Sequence, residues 1–296
     1  MDIVVICNGL GNQMSQYAFY LKKKSLNKST KFIFDRKSWF DHNGFELDKI
    51  FNISYQETLF NRFLYFVFRI LGIKKIPLLS KPILKLLNIL GISLTIENQN
   101  YDYNENLLLS SKGLMFYYGG WHSEKYFHSN AAQILSTFEF RIDEKDENIG
   151  RTLKLINKTN SVSIHIRRGD YMNDIHYETF GSVCTKQYFE MAIAKINSLV
   201  ENPHYFIFSN DITWVKDNLK ITNMSIIDFN KGSDSWKDMY LISQCKYNIN
   251  SNSTFSWWGA WLNTNSDKIV IVPKFYINNL VTKDIYPSSW IQLEEY

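Results

Sequence analysis

Arg167 and Arg168 follow an alternating apolar run, Val162, Ile164 and Ile166, and precede Gly169 and Asp170. In a strand the apolar side chains share one face, and His165 and Arg167 share the other. The Arg-Gly-Asp turn then falls at the strand's carboxyl end, where open α/β sheets bind ligands. A guanidinium offers a fixed fork of donors and keeps its charge, so the pair suits a phosphate. Surface ion pairs with nearby carboxylates are an equal reading of these arginines. Asp170 is a candidate general base, and bracing Arg167 or bonding the turn is its alternative role. An adhesion tripeptide is disfavoured, because Arg-Gly-Asp follows a buried-type strand.

Two further strand ends carry polar clusters. "HYFIFSND" ends in Ser209, Asn210 and Asp211 before a helix. A carboxylate or amide there can read a ribose or base edge, or cap the helix. "YNINSNSTFSWWGAWLN" crowds small hydroxyls at a helix entry, and such an entry favours an anion. Trp257, Trp258 and Trp261 read as core. At the N-terminus, "CNGLGNQMSQY" follows a strand and opens a helix, like a dinucleotide-binding loop. Met14 stands where that fingerprint has its third glycine. Asp35, at the next strand's end, would suit a ribose. No Asp-x-Asp sits at a strand end, and no His/Cys cluster has metal-ligand spacing, so no metal is expected. A phosphorylated leaving group would then rest on arginines and helix N-termini.

The elements that must position these residues alternate. Strands are expected at 3–7, 31–34, 114–118, 161–166, 204–208, 224–227, 247–250 and 268–272. Helices are expected at 12–26, 123–138, 185–200, 211–219, 235–245 and 254–262, with 36–58 irregular. Residues 59–92 read as a helical insertion broken near Pro77 and Pro82. This alternation predicts an α/β fold with parallel sheets. The charged stretch 143–158 separates two sets of elements, giving facing domains at 1–158 and 159–296.

The 296 residues, 45% of them hydrophobic, suffice for such cores. A net charge of +4 from scattered basic residues gives nucleic acid no footprint. Cys7, Cys184 and Cys245 form no disulfide framework, and the chain starts directly in a strand, so a cytoplasmic setting is expected. Basic residues interrupt the apolar 59–96 stretch, which excludes a span of ~20 residues. Segment 59–92 suits packing on the core, the favoured reading, or peripheral contact with a membrane face.

Taken together, several motifs resemble the α-1,2-fucosyltransferases of glycosyltransferase family eleven. They are Gly9-Leu10-Gly11-Asn12-Gln13-Met14 and His165-Ile166-Arg167-Arg168-Gly169-Asp170-Tyr171. Gly120-Trp121-His122-Ser123-Glu124-Lys125-Tyr126-Phe127, Phe208-Ser209-Asn210-Asp211 and Asp238-Met239-Tyr240-Leu241-Ile242-Ser243-Gln244-Cys245 follow the same pattern, as does the Ser253-to-Gly259 run with its Trp-Trp-Gly end. The likeness spans nearly the whole chain. It implies two facing Rossmann-like domains of the glycosyltransferase B type. The implied reaction is inverting, metal-independent transfer of L-fucose from GDP-fucose to the 2-hydroxyl of a terminal galactose. The acceptor would be an oligosaccharide or a lipid-linked glycan of a bacterial surface polysaccharide.

By that pattern Arg167 would meet the β-phosphate, and His165 and Asp211 the nucleoside. Ser253, Thr254, Phe255 and Ser256 would hold phosphate. Arg168 and Asn210 would complete the donor site, and Gly9, Gly11, Asn12 and Gln13 would face it from the first domain. Trp121, His122 and Asp35 would lie on the acceptor side, where Asp35 and His122 are weaker base candidates. Asn210 and His122 depart from the family, which often has Asp and Gln there. That bears on guanosine contacts and acceptor choice. Three alternatives stay open: a transferase of another GDP-sugar, an NAD-dependent oxidoreductase, and a non-catalytic carbohydrate-binding protein. The oxidoreductase leaves the Arg-Arg strand unexplained.

Overall fold

The computed structural model describes residues 1–39, 43–72, 77–109, 112–143 and 145–294. The chain divides into two compact units, Met1–Glu139 with Lys283–Ile285, and Phe140–Thr282 with Tyr286–Tyr296.

The first unit contains β1 (Asp2–Ile6), α1 (Leu10–Leu26), β2 (Lys31–Phe34), α2 (Leu47–Ile50), α3 (Leu59–Leu71), α4 (Pro77–Ile89), β3 (Ile92–Ile96), β4 (Leu114–Tyr118) and α5 (Ala131–Thr137). Its strands pair in parallel, in the order β2-β1-β4-β3. β1 is buried throughout, as a central parallel strand must be. Ile3 and Val5 pack with Leu64, Val67, Phe68 and Leu71 of α3 on one face. Met14, Ala18 and Phe19 of α1 are wholly buried, and α1 packs on β1. Met14 is therefore a core residue.

The second unit contains α6 (Glu147–Lys158), β5 (Asn160–Ile166), α7 (Asp174–His176), α8 (Lys186–Leu199), β6 (Pro203–Ser209), α9 (Ile212–Asn218), β7 (Met224–Ile227), α10 (Trp236–Gln244), β8 (Tyr247–Ile249), α11 (Thr254–Trp261), β9 (Val270–Pro273) and β10 (Ile291–Leu293). The parallel strand order is β10-β9-β8-β5-β6-β7. Renumbered within the unit, this is 6-5-4-1-2-3, the Rossmann order. Val162, Ile164 and Ile166 pack against Tyr188, Phe189, Ala192 and Ile196 of α8. Phe206 and Phe208 turn the other way, toward Ile149, Ile156, Leu241 and Ile242. Each such fully buried side chain contributes ~1.5–3 kcal/mol. The α/β class with two Rossmann-like units, as in B-type glycosyltransferases, is thus present.

Several expected elements differ. The unit boundary lies at 139/140, because the charged stretch hides an apolar stripe. Ile149, Thr152 and Ile156 lie on one face of α6, which Asp146 caps through Ile149 N, and this face joins the second core. The helix expected at 123–138 becomes two short 3-10 turns and α5. Ser123 caps the first of these turns by accepting from Lys125 N, and Tyr126 and Phe127 are both wholly buried. The helical segment expected to run to 92 ends with α4 at Ile89, and β3 (Ile92–Ile96) follows as a strand the alternation did not give. Pro77 opens α4, and Pro82 lies inside it. The break expected near Pro77 falls on 73–76, outside the described residues. Among the described residues no helix is long and apolar enough to cross a membrane.

Candidate active site

In each sheet the strand order reverses at one point, β5/β8 in the second unit and β1/β4 in the first. The crevice outside the carboxyl ends at such a point is where open α/β sheets bind ligands.

At the β5/β8 point, His165 is buried, with Nδ1 3.1 Å from Ser251 Oγ. Its ring lies 5.3 Å from that of Phe255. Burial, helped by the Arg167 charge, pushes its pKa down to about 3, so the imidazole is neutral. Arg167 Nη2 donates to Asp170 Oδ2 at 3.0 Å, and Nε lies 3.0 Å from Oδ1. Arg168 Nε donates to Asp211 Oδ2 at 3.2 Å, and its guanidinium lies 4.3 Å from the Trp214 ring centroid. The ion-pair reading of both arginines is therefore realised. Each guanidinium has five donors, so each pair leaves donors over for an anion. Asp170 is engaged as a brace, with both oxygens turned to Arg167.

The next turn is tied to these residues. Asn210 Oδ1 accepts from Arg168 N at 2.9 Å. A Cβ on Gly169 would meet Asn210 Nδ2 at 2.4 Å, so glycine here lets the Asn210 amide lie against the turn. Asp211 caps α9, with Oδ1 accepting from Trp214 N at 3.0 Å, and also holds Arg168. Capping and side-chain clamping coexist there. Ser253 caps α11 through Phe255 N at 3.3 Å. Ser256 is turned inward and donates to backbone carbonyls of Ser251 and Ser253. Thr254 and Phe255 are half-buried. Trp257 and Trp258 are core residues.

At the β1/β4 point the first unit has a cleft of about 240 Å³. Its lining includes Asn8 and Asn12 from the loop after β1, and Gly119, Gly120 and His122 from the loop after β4. Helix α1 starts at Leu10, with Gly9 as its cap residue. Asn12 lines the cleft. Gln13 does not, because its amide is spent on backbone: Nε2 donates to Asn8 O and Gly44 O, both at 2.7 Å, and Oε1 accepts from Glu46 N at 2.9 Å. Gly11 is buried.

The acceptor-side candidates separate. Trp121 is wholly buried and stacked on Phe19 with ring centroids 4.5 Å apart, so it is core. Asp35 lies outside the cleft lining and accepts from Tyr65 OH at 3.0 Å and Lys37 N at 3.1 Å. His122 lines the cleft, with Nδ1 3.1 Å from Ser15 Oγ. Burial pushes its pKa down to about 3, so near neutrality the imidazole is uncharged and only weakly basic. A Cβ on Gly120 would meet its Nε2 at 2.2 Å, so glycine there lets the imidazole fold over the turn.

Sequence reasoning missed Glu97, which follows β3 and lines the same cleft. Its Oε2 accepts from Gly120 N at 2.6 Å and Trp121 N at 2.9 Å. Oε1 is buried without a partner among the described residues. Burial pushes the carboxyl up to about 7, against the opposing pull of the two amides. Its only sequence signal was a carboxylate just past an apolar run, "ISLTIE". Among the described residues no group of three or more His, Cys, Asp or Glu side chains could hold a metal ion.

Residues 2–294 match the model of glycosyl transferase family 11. An α-1,2-colitosyltransferase of Escherichia coli is 33% identical over 311 residues, covering all of both chains. The O-antigen biosynthesis glycosyltransferase WbnK of Escherichia coli is 32% identical over 305 residues, 97% of this chain and 99% of its own. Galactoside α-(1,2)-fucosyltransferase 1 of Leontopithecus chrysomelas is 28% identical over 145 residues, 46% of this chain and 40% of its own. These matches set aside the oxidoreductase and non-catalytic readings. With a family model matched over residues 2–294 and a relative 33% identical over the whole chain, the chain belongs to glycosyltransferase family 11.

Proposed function

We propose that the protein transfers L-fucose from GDP-fucose to the 2-hydroxyl of a terminal galactose, with inversion and without a metal. The observation that carries this is the cluster at the β5/β8 switch point. There His165, Arg167, Arg168, Asn210, Asp211 and the entry to α11 gather beyond adjacent strand ends. As the glycosidic bond breaks, negative charge grows on the departing diphosphate. Arg167, oriented by Asp170, meets that charge where it develops, and such preorganised donors favour the transition state over the ground state. Neutral His165 and the Asp211 carboxylate suit the polar edges of the nucleoside. Asn12 and His122 belong to the acceptor side.

A second reading is favoured by the Escherichia coli relative whose name gives colitose, the 3-deoxy analogue of fucose, as the sugar it transfers. The test incubates the full chain with EDTA, galactose-terminated oligosaccharides, and either GDP-fucose or GDP-colitose. GDP release and the mass and linkage of the product are followed. Fucosyl transfer to O2 of galactose with EDTA present is expected. Turnover of GDP-colitose alone establishes the second reading. No turnover of either donor, with no binding of GDP, overturns both.

A lipid-linked acceptor would place the enzyme at a membrane, and α3 supports this. Leu64, Val67, Phe68 and Leu71 face the core, yet Leu59, Phe63 and Phe66 on the opposite side are 82%, 57% and 62% exposed. A helix apolar on both faces, with Arg62 and Arg69 along it, suits the interface of an anionic membrane. Co-sedimentation with phosphatidylserine vesicles is expected, and loss of it in a Phe63→Ser/Phe66→Ser variant. Equal recovery of variant and wild type with the vesicles removes α3 as the contact.

A further inference from the structure

Glu97 has an arrangement that a purely structural clasp does not need. Its backbone N donates to Tyr118 O at 3.0 Å, fixing it at the sheet's carboxyl edge. The amides of Gly120 and Trp121 hold Oε2 and so fix the carboxylate plane. Oε1 is left buried and unpartnered in a side chain that lines the cleft. A buried acceptor without a partner is costly, and in a native structure it calls for an explanation such as a catalytic role. The cleft, at about 240 Å³, is below the roughly 300–1,000 Å³ of drug-sized sites and suits one sugar ring. Asn12 and Tyr101 line it as well, and the Tyr101 ring stands edge-on to His122 at 5.1 Å.

We propose that Glu97 is the general base of the transfer and that this cleft receives the acceptor sugar. The proposal rests on the glycosyl-transfer reading above. Oε1 takes the proton as the acceptor O–H bond breaks. The acceptor oxygen bonds to the anomeric carbon, and the bond from that carbon to the phosphate oxygen breaks, its electron pair leaving on GDP. Solvent then removes the proton from Glu97.

The surrounding titratable groups leave this role to the carboxylate. Burial pushes Cys7, Tyr101 and Tyr118 up to about 12 and Tyr126 higher still, while His122 is pushed down to about 3. Asp35 and Arg69 act on this set through Tyr118, with opposite signs. With Glu97 at about 7, the base is lost as pH falls, so the rate should fall about tenfold per unit below pH ~7.

The test compares wild type with Glu97→Gln, which retains an oxygen to accept from Gly120 N and Trp121 N. GDP affinity and thermal melting establish that the variant is folded. Transfer to a galactoside is expected to fall about 10²–10⁴-fold in kcat, with acceptor KM within a few-fold. Azide, a nucleophile with no proton to lose, should form fucosyl azide equally with both proteins. Galactoside transfer within threefold of wild type overturns the proposal. So does equal loss of the azide and galactoside reactions, which would mean a structural role. The pH profile of wild type is a check independent of the variant, and a flat profile between pH 5 and 8 also overturns it. If wild type releases no GDP with any acceptor, the parent reading fails, and this one with it.

Discussion

Asp170 can brace Arg167 or act as a base, and the two roles predict rates that differ by orders of magnitude. Arg167 is 33% exposed and Asp170 44% exposed. An ion pair that open to solvent is worth ~0.2–1 kcal/mol. If Asp170 only orients Arg167, then Asp170→Asn should lower kcat about 1.4- to 5-fold, that energy expressed as a rate. Removal of a general base would instead cost about 10²–10⁴-fold. Arg167→Ala deletes one preorganised donor to the departing diphosphate and should cost ~2.7–4 kcal/mol, about 10²–10³ in kcat. The double variant should be no slower than Arg167→Ala, because a brace without its arginine does nothing. Arg167→Lys should resemble Arg167→Ala, since one ammonium cannot hold both carboxylate oxygens and still present a fork to phosphate. The assay is steady-state GDP release at saturating donor and acceptor, with GDP affinity as the control for folding. A fall of 100-fold or more in Asp170→Asn, multiplying with that of Arg167→Ala, would refute the brace and restore Asp170 as the base.

Lys23 is buried, 3.2 Å from Asp2 Oδ2 and bonded to Leu107 O, Leu109 O and Tyr117 OH. Lys23→Met removes the ammonium from beside the buried Asp2 carboxylate, and breaking this ion pair should destabilise the first unit by ~3–5 kcal/mol, read from its urea transition. Gly169→Ala drives a methyl against Asn210 Nδ2 and breaks the contact that holds the Arg168 amide. An overpacking cost of about 1–3 kcal/mol is expected there, seen as weaker GDP binding by calorimetry. Burial pushes Cys7 and Cys184 up to about 12 and Cys245 further up. Below those values the thiols stay protonated, so native protein at pH 8 should resist iodoacetamide until it unfolds, as intact mass would show.

What was legible in the sequence was local. β5 could be read because its alternation and its Arg-Arg turn lie within eleven residues, and α11 because its small hydroxyls and tryptophans are contiguous. The site residues that were misjudged have distant partners. Gln13 reads as a ligand contact after two glycines, but the groups that consume its amide lie up to 33 residues away. The motif places Trp121 on the acceptor side, but it stacks on Phe19 in the core. Glu97 gains its meaning only from the order β2-β1-β4-β3. That order brings the end of β3 beside the glycine turn after β4, and no pattern near residue 97 encodes it. Asp170 was the opposite case: its neighbour in sequence is also its partner in space, and the pairing is what argues against its use as a base.

Charge is handled differently at the two switch points, and this has a consequence for how the enzyme responds to conditions. Around β5 and β8 the charges are fixed, because guanidinium groups do not titrate in proteins and His165 is already neutral. Arg167 is partly open to solvent, and exposed charges are screened over ~8–10 Å at physiological salt. Around β1 and β4, the phenol, thiol and imidazole groups lining the cleft stay uncharged near neutrality. Glu97 is the lining group whose charge changes there. On the proposed roles of Arg167 and Glu97, ionic strength should act on donor binding and protons on acceptor activation. A substitution at Arg167 would change the salt response and leave the pH midpoint in place. A substitution at Glu97 would do the reverse, so the two halves of the reaction can be assigned to separate residues without a ligand-bound structure.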